Sequence, residues 1–324
     1  MIDWLSSAWR GSPVQTYFKQ LPPWDVPRAE REIGLFMRLA ANYGPTLHID
    51  SIVVGKQMPS GLAYGIAVHP GESFVSFAIA LNGTQHCFKS WSGKHRLVRL
   101  MWLLGAYFTT LGANERFRAG MAPEFSFIPT ASPEATLIRL NALARCEYRV
   151  QKQVDRVFRD NFTESNGIAV RLFNVFERSG RDPHADITDA AEKLPAVIRR
   201  LVRPVVEGKT RDSGAAWEEI AWIVYSVIAT LSRYAGIFDE TPGWAERTDL
   251  LSRHNLFAEV FQPAWDVIAA DCVEFADADW VGITSPSPMV LSSLKDLFRR
   301  IGVRILDEPQ GLRTFDLEMV PWAA

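Results

Sequence analysis

SFVSFAIALNGTQHCFKSW, residues 73–91, decides how the N-terminal part of this chain is read. Apolar side chains recur at every second position on either side of Asn82-Gly83, the dipeptide that most favours a two-residue hairpin turn. Such a turn fixes the register of its strands. It places His86 across from Ile79 and Cys87 across from Ala78, with His86 on the face of Val75 and Phe77 and Cys87 on that of Phe74. Adjacent strand residues point to opposite faces, so the hairpin predicts that His86 and Cys87 do not form a nucleophile–base dyad.

Working outward, LHIDSIVV (47–54), LAYGIAVH (62–69), SFVSFAIAL (73–81) and TQHCFKSW (84–91) each carry a period of two. They are separated by GKQMPSG, PGE and NG, and connections so short and so rich in turn residues predict an antiparallel meander. Ahead of it, VPRAEREIGLFMRLAANYG (26–44) reads as an amphipathic helix, with Pro27 near its start and Gly44 at its stop. The first residues, rich in Trp and Pro, are expected to wrap over the surface.

After Gly93 the period becomes helical. Ser132 and Pro133 open a long helix, Pro195 and Pro204 are expected to break or kink another, and Pro263 to divide a third. WEEIAWIVYSVIATLSRYAGIF (217–238) is apolar nearly all round but interrupted by Glu218, Glu219 and Arg233. That pattern predicts the central helix of a bundle over 213–235 rather than a membrane span. In the tail, DWVGIT reads as a strand, SPMVLSSLKDLFRRIG as a helix with Ser287 and Pro288 at its start, and VRILDE and LRTFDLEM as strands.

The expected class is α+β: an N-terminal antiparallel β-meander and a C-terminal β-α-β-β element around a mainly α-helical middle section. Residues 1–93 hold the first helix and the meander, 94–278 the helical section, and 279–324 the terminal element, packed with the N-terminal strands.

With 48% hydrophobic and 22% charged residues among 324, the composition is that of a folded protein. A formal charge of −2 offers no global attraction for DNA or an anionic membrane. Cys87, Cys146 and Cys272 are far apart, without a CxxC, so neither a disulfide framework nor a zinc knuckle is expected. MIDWLSSAWRGSP lacks a basic stretch followed by an apolar run, which points to the cytoplasm rather than secretion.

Catalytic motifs are sparse. VEGKT (206–210) contains Gly-Lys-Thr, but the first glycine of a phosphate-binding loop would fall at Arg203, beside Pro204. His48 and Asp50 share a strand face, as a base with its orienting carboxylate or two metal ligands would. His184, Asp186 and Asp189 surround a helix start, where Asp186 as cap and Asp189 at the positive dipole end are the simpler account. Arg199, Arg200, Arg203, Lys209 and Arg211 cluster around a helix end with no interleaved aromatics, so RNA binding is not favoured. WDVIAADCVEFADADW (265–280) sets Asp271, Glu274, Asp277 and Asp279 between Trp265 and Trp280. Acids flanked by aromatic anchors suit docking to a basic protein surface.

The sequence therefore leads to an expectation of a non-enzymatic protein-binding protein, of inhibitor, immunity or adaptor type. Its expected partner is a protein with a basic surface, met through Trp265, Asp271, Glu274, Asp277, Asp279 and Trp280, and no cofactor or metal is expected. The alternatives are a hydrolase or metal-dependent enzyme using His48, Asp50 and His184, or an RNA-associated protein using the basic cluster.

Overall fold

Helix dominates the described residues, so the expectation of a balanced α+β fold resting on an N-terminal meander is corrected. The structure, a computed structural model, describes residues 15–19, 26–43, 48–55, 64–68, 75–82, 96–118, 132–164, 167–177, 183–210, 213–238, 256–310, 313–320 and 322. The chain divides into two units, Met1–Phe125 with Val150–Gly180, and Ser126–Arg149 with Arg181–Ala324.

In the first unit, strands β1 (Gln15–Lys19), β2 (His48–Gly55), β3 (Tyr64–Val68) and β4 (Val75–Asn82) lie in the order β1-β2-β4-β3. β1 with β2 and β2 with β4 run parallel; β3 with β4 runs antiparallel. A meander would set every strand beside its neighbour in sequence. Instead, the two eight-residue apolar strands, HIDSIVVG and VSFAIALN, take the centre, and the five-residue strands take the edges. Parallel pairing favours near-continuous apolar runs in that central position.

Both edges of β4 are occupied, since Ile79 pairs with Ile52 and Tyr64, and Ala78 with Ser51 and Gly65. The expected pairing of Ile79 with His86 and of Ala78 with Cys87 has no edge to form on. Gly83, His86 and Cys87 themselves lie outside the described residues.

Helix α1 (Val26–Tyr43) buries Ile33, Phe36, Met37 and Ala40, one stripe at helical spacing, and packs on α2 (Arg96–Arg118). Glu32 and Arg99 are buried between these helices, where Arg99 Nε donates to Glu32 Oε2 at 2.6 Å and Nη2 donates to the other oxygen. Tyr107 Oη, also buried, donates to the Ala40 carbonyl at 3.1 Å. Helix α3 (Pro133–Asn161) gives residues 150–161 to this unit and 133–149 to the other. Its Asp155 accepts the Leu172 N–H at 2.7 Å and so caps the short helix α4 (Leu172–Glu177).

The second unit is built around α7 (Ser213–Phe238). By length and composition this helix is apolar enough to cross a membrane, yet 72% of that apolar window is buried within the protein. Its neighbours include α5 (Pro183–Ala191) and α6, made of α-helical Leu194–Val197, a π turn Ile198–Val202 and α-helical Arg203–Val206. Another is α8, a π turn Phe257–Phe261 running into α-helical Gln262–Glu274. Pro204 interrupts the regular helix without ending it, and Pro263 does not divide its helix. A proline lacks the N–H and crowds the carbonyl of the preceding turn. The chain widens just before each proline instead, so the Arg203 N–H reaches Ile198 O and the Gln262 N–H reaches Phe257 O.

DWVGIT is not a strand: Gly282–Thr284 is a 3₁₀ turn. The Asp279 side chain accepts the Gly282 N–H, a local bond that competes with any ladder. Helix α9 (Pro288–Ile301) starts at Ser287, whose Oγ accepts the Val290 N–H at 3.4 Å, and stops at Gly302 with φ of 94°. β5 (Val303–Gln310) and β6 (Arg313–Leu317) then form an antiparallel pair. Trp217 of α7 meets Phe298 of α9 and Phe315 of β6, with ring centroids at 5.1 and 5.4 Å.

Candidate interaction surface

The acidic segment is organised by a residue that sequence marks as surface. Asp271, near the end of α8, is 3% exposed. It accepts Arg145 Nε at 2.6 Å and Nη2 at 2.7 Å, a two-point carboxylate–guanidinium contact, and Asn141 Nδ2 at 3.0 Å. Arg145 is itself 1% exposed, and its Nη1 donates to the carbonyls of Ser285 at 2.6 Å and Ile283 at 3.2 Å. Asn141 Oδ1 accepts the Ser287 N–H at 3.0 Å, and the Phe275 ring lies 3.6 Å from Arg145 Cζ. One turn of α3 thus holds the end of α8, the 3₁₀ turn and the start of α9. Next to this network, burial pushes the Cys272 thiol far above its ordinary value, with the Asp271 charge adding to the effect.

The two aromatic residues of the expected interface are also internal, Trp265 at 4% and Trp280 at 8% exposure. Arg149 Cζ sits 4.6 Å from the centre of the Trp280 ring. Burial pulls its guanidinium below the ordinary value, while Asp277 and Asp279 pull it back up. Glu274, Asp277 and Asp279 are exposed, and so are Val273 and Val281, at 58% and 39%. Of the six residues singled out from sequence, three form the interior scaffold and three the outer edge. That edge is an acidic strip bounded by two valines.

Arg145 and Asn141 were missed. Their signal was available: they stand four apart among Leu137, Leu140, Ala144 and Tyr148, all buried, so two polar residues lie on the apolar face of α3. A polar pair in that position needs internal partners.

The alternative sites come out differently. His48 and Asp50 lie on the central strand β2, but their side chains are outside the described residues. His184 is half-buried in the first turn of α5, and its carbonyl accepts Thr188 Oγ1 at 2.7 Å; Asp189 is exposed on the same helix, and the Asp186 side chain is outside the described residues. Among the described residues, no group of three His, Cys, Asp or Glu side chains is placed to hold a metal ion. The basic cluster is partly balanced by its own acids, Arg200 pairing with Glu219, and Arg203 and Lys209 with Glu207. The Lys209 hydrogen bond, with the charges of Lys209 and Arg203 beside it, draws the Glu207 carboxyl below its usual range. Arg211 lies outside the described residues.

Gly-Lys-Thr forms the end of a helix, not the start of one. Gly208 has φ of 70°, and the N–H groups of Lys209 and Thr210 donate to Pro204 O at 2.8 and 3.3 Å. Those amides are spent on helix carbonyls, whereas a phosphate needs them at the opposite, N-terminal end. Set against family models, curated proteins and solved structures, the chain shows no match.

Proposed function

We propose that this chain is a non-enzymatic protein-binding protein of the cytoplasm, an inhibitor, immunity-type or adaptor protein. Its contact with a basic partner surface runs through Val273, Glu274, Asp277, Asp279 and Val281. The supporting observation is the contrast between the two sides of one segment. Its inner side is tied down by the buried Arg145–Asp271–Asn141 network, while its outer side presents three exposed carboxylates between two exposed valines. A surface already held in shape loses little entropy on binding. Acids at its rim speed encounter with a cationic partner, and valines bury apolar area once contact is made.

Glu274 and Asp277 test this best, because Asp279 also holds the Gly282 N–H. Tagged wild-type chain and a Glu274→Lys/Asp277→Lys variant would be incubated with lysate of the source cells at low and at high salt, and the bound proteins compared. The wild type is expected to retain a basic protein at low salt that the variant loses, with the difference shrinking as screening grows. Equal retention by both chains, or no retained protein, would sink the proposal.

A further inference from the structure

Asn141, Arg145 and Arg149 follow one another every fourth residue along α3, and the two arginines meet the acidic segment in different ways. Arg145 is neutralised: Asp271 takes its Nε and Nη2, and the Ile283 and Ser285 carbonyls take its Nη1. Arg149, half-buried, lies against the indole that ends the same segment, with its Cζ 4.6 Å from the centre of the Trp280 ring. Its Nε and Nη1 are buried without a hydrogen-bond partner. Burial lowers its guanidinium value and the charges of Asp277 and Asp279 raise it, so both carboxylates lie within its field. Neither of them bonds to it. Both are exposed, and Asp279 accepts the Gly282 N–H instead.

A half-buried cation thus sits beside an acidic strip that faces solvent. Its contact with the Trp280 ring holds the guanidinium in place but does not cancel its charge. The carboxylates nearest in its field are the ones that the strip offers to a partner. A partly buried charge is also screened by salt less than an exposed one. We propose that Arg149 is a built-in competitor for the acidic strip: it offsets the field of Asp277 and Asp279 and so sets how strongly a basic partner is drawn to them. This rests on the reading of the strip as the face that meets a basic surface. Because no hydrogen bond ties either acid to Arg149, both stay free to turn toward an incoming cation. The competition acts through charge alone, without any contact between Arg149 and the partner. Removing it should therefore strengthen association, whereas removing a merely structural residue would weaken it or leave it unchanged.

The test uses the full chain, with the peptide hexalysine as the probe. The readout is the set of backbone amide resonances of Glu274, Asp277 and Asp279 at low salt. Arg149→Met and Arg149→Gln both remove the charge, one with an apolar and one with a polar side chain, and Arg149→Lys keeps it. Hexalysine is expected to shift these resonances saturably in the parent chain. It should bind the Met and Gln variants about threefold more tightly, the scale of one charge acting near the surface. Arg149→Lys should bind as the parent does, and the gain in the other two should vanish at high salt. Saturable binding by the parent with equal or weaker binding by both neutral variants would overturn the role of Arg149 and leave the reading of the strip standing. A gain shared by Arg149→Lys would assign the effect to shape and overturn that role too. No saturable shift in any chain would overturn both the role and the reading.

Discussion

Replacing Asp271 with alanine should bring the second unit close to unfolding. The variant leaves Arg145, 1% exposed, as an uncompensated buried cation. Removing one partner of a buried pair costs about 3–5 kcal/mol. Asn141 Nδ2 also loses the acceptor it holds at 3.0 Å, which adds about 1 kcal/mol. The sum, about 4–6 kcal/mol, compares with a total of about 5–15 kcal/mol for an ordinary domain. Urea unfolding followed by far-ultraviolet circular dichroism reads this as a lower midpoint at unchanged slope. Replacing both partners, Asp271→Leu with Arg145→Met, removes the buried charge along with its counterion and should recover a large part of the loss. The recovery stays incomplete, because the Ile283 and Ser285 carbonyls lose their donor. A loss below about 1 kcal/mol in Asp271→Ala would show that the carboxylate is reached by water. A double variant as unstable as the two single losses added together would show that the pair is not coupled.

Two further outcomes follow from the backbone and from buried acids. Gly302→Ala should cost at least about 3 kcal/mol, since a Cβ there meets Glu318 O at 2.3 Å on a residue with φ of 94°, whereas Gly208→Ala, in open space, should cost about 1 kcal/mol; equal melting shifts for the two variants would refute this. Burial raises the Cys272 and Tyr107 values, so the folded chain keeps protons that the unfolded chain releases. Stability should therefore be constant at neutral pH and fall above about pH 8.5 by about 1.4 kcal/mol per pH unit in the second unit, with Tyr107 adding the same slope in the first above about pH 10. Cys272→Ala should remove the earlier decline, and a urea midpoint in the parent that does not move up to pH 10 would exclude the effect.

Where a feature depends on neighbours in sequence, it was readable in advance. The central helix expected at 213–235 spans Ser213–Phe238, and α9 has the Ser287 start and Gly302 stop that the residue types require. Three of the expected N-terminal strands are strands, but alternation reports which face a residue takes, not which strand lies beside it. Asn82-Gly83 is a local signal and names no partner strand; β4 pairs with β2 on one side and β3 on the other. Pro204 and Pro263 looked like breaks because a widened turn leaves no mark in the residues before it. Asp271 looked exposed because charged residues mostly are, and its partner Arg145 lies 126 residues away in sequence. The acids whose exposure was expected correctly, Glu274, Asp277 and Asp279, are those with no such distant hydrogen-bonded partner among the described residues.

The contact of Trp217 with Phe298 and Phe315 also gives this chain an optical probe of its C-terminal end. An indole that is 2% exposed emits at short wavelength and is shielded from a quencher in solvent. Five residues further along the same helix, Trp222 is 45% exposed and open to that quencher. If β6 and the end of α9 lift away, the emission of Trp217 moves to the red and becomes quenchable while α7 itself stays helical. In a variant that keeps Trp217 as its single tryptophan, departure of the C-terminal hairpin can thus be followed by emission, apart from the melting of the core helix beneath it.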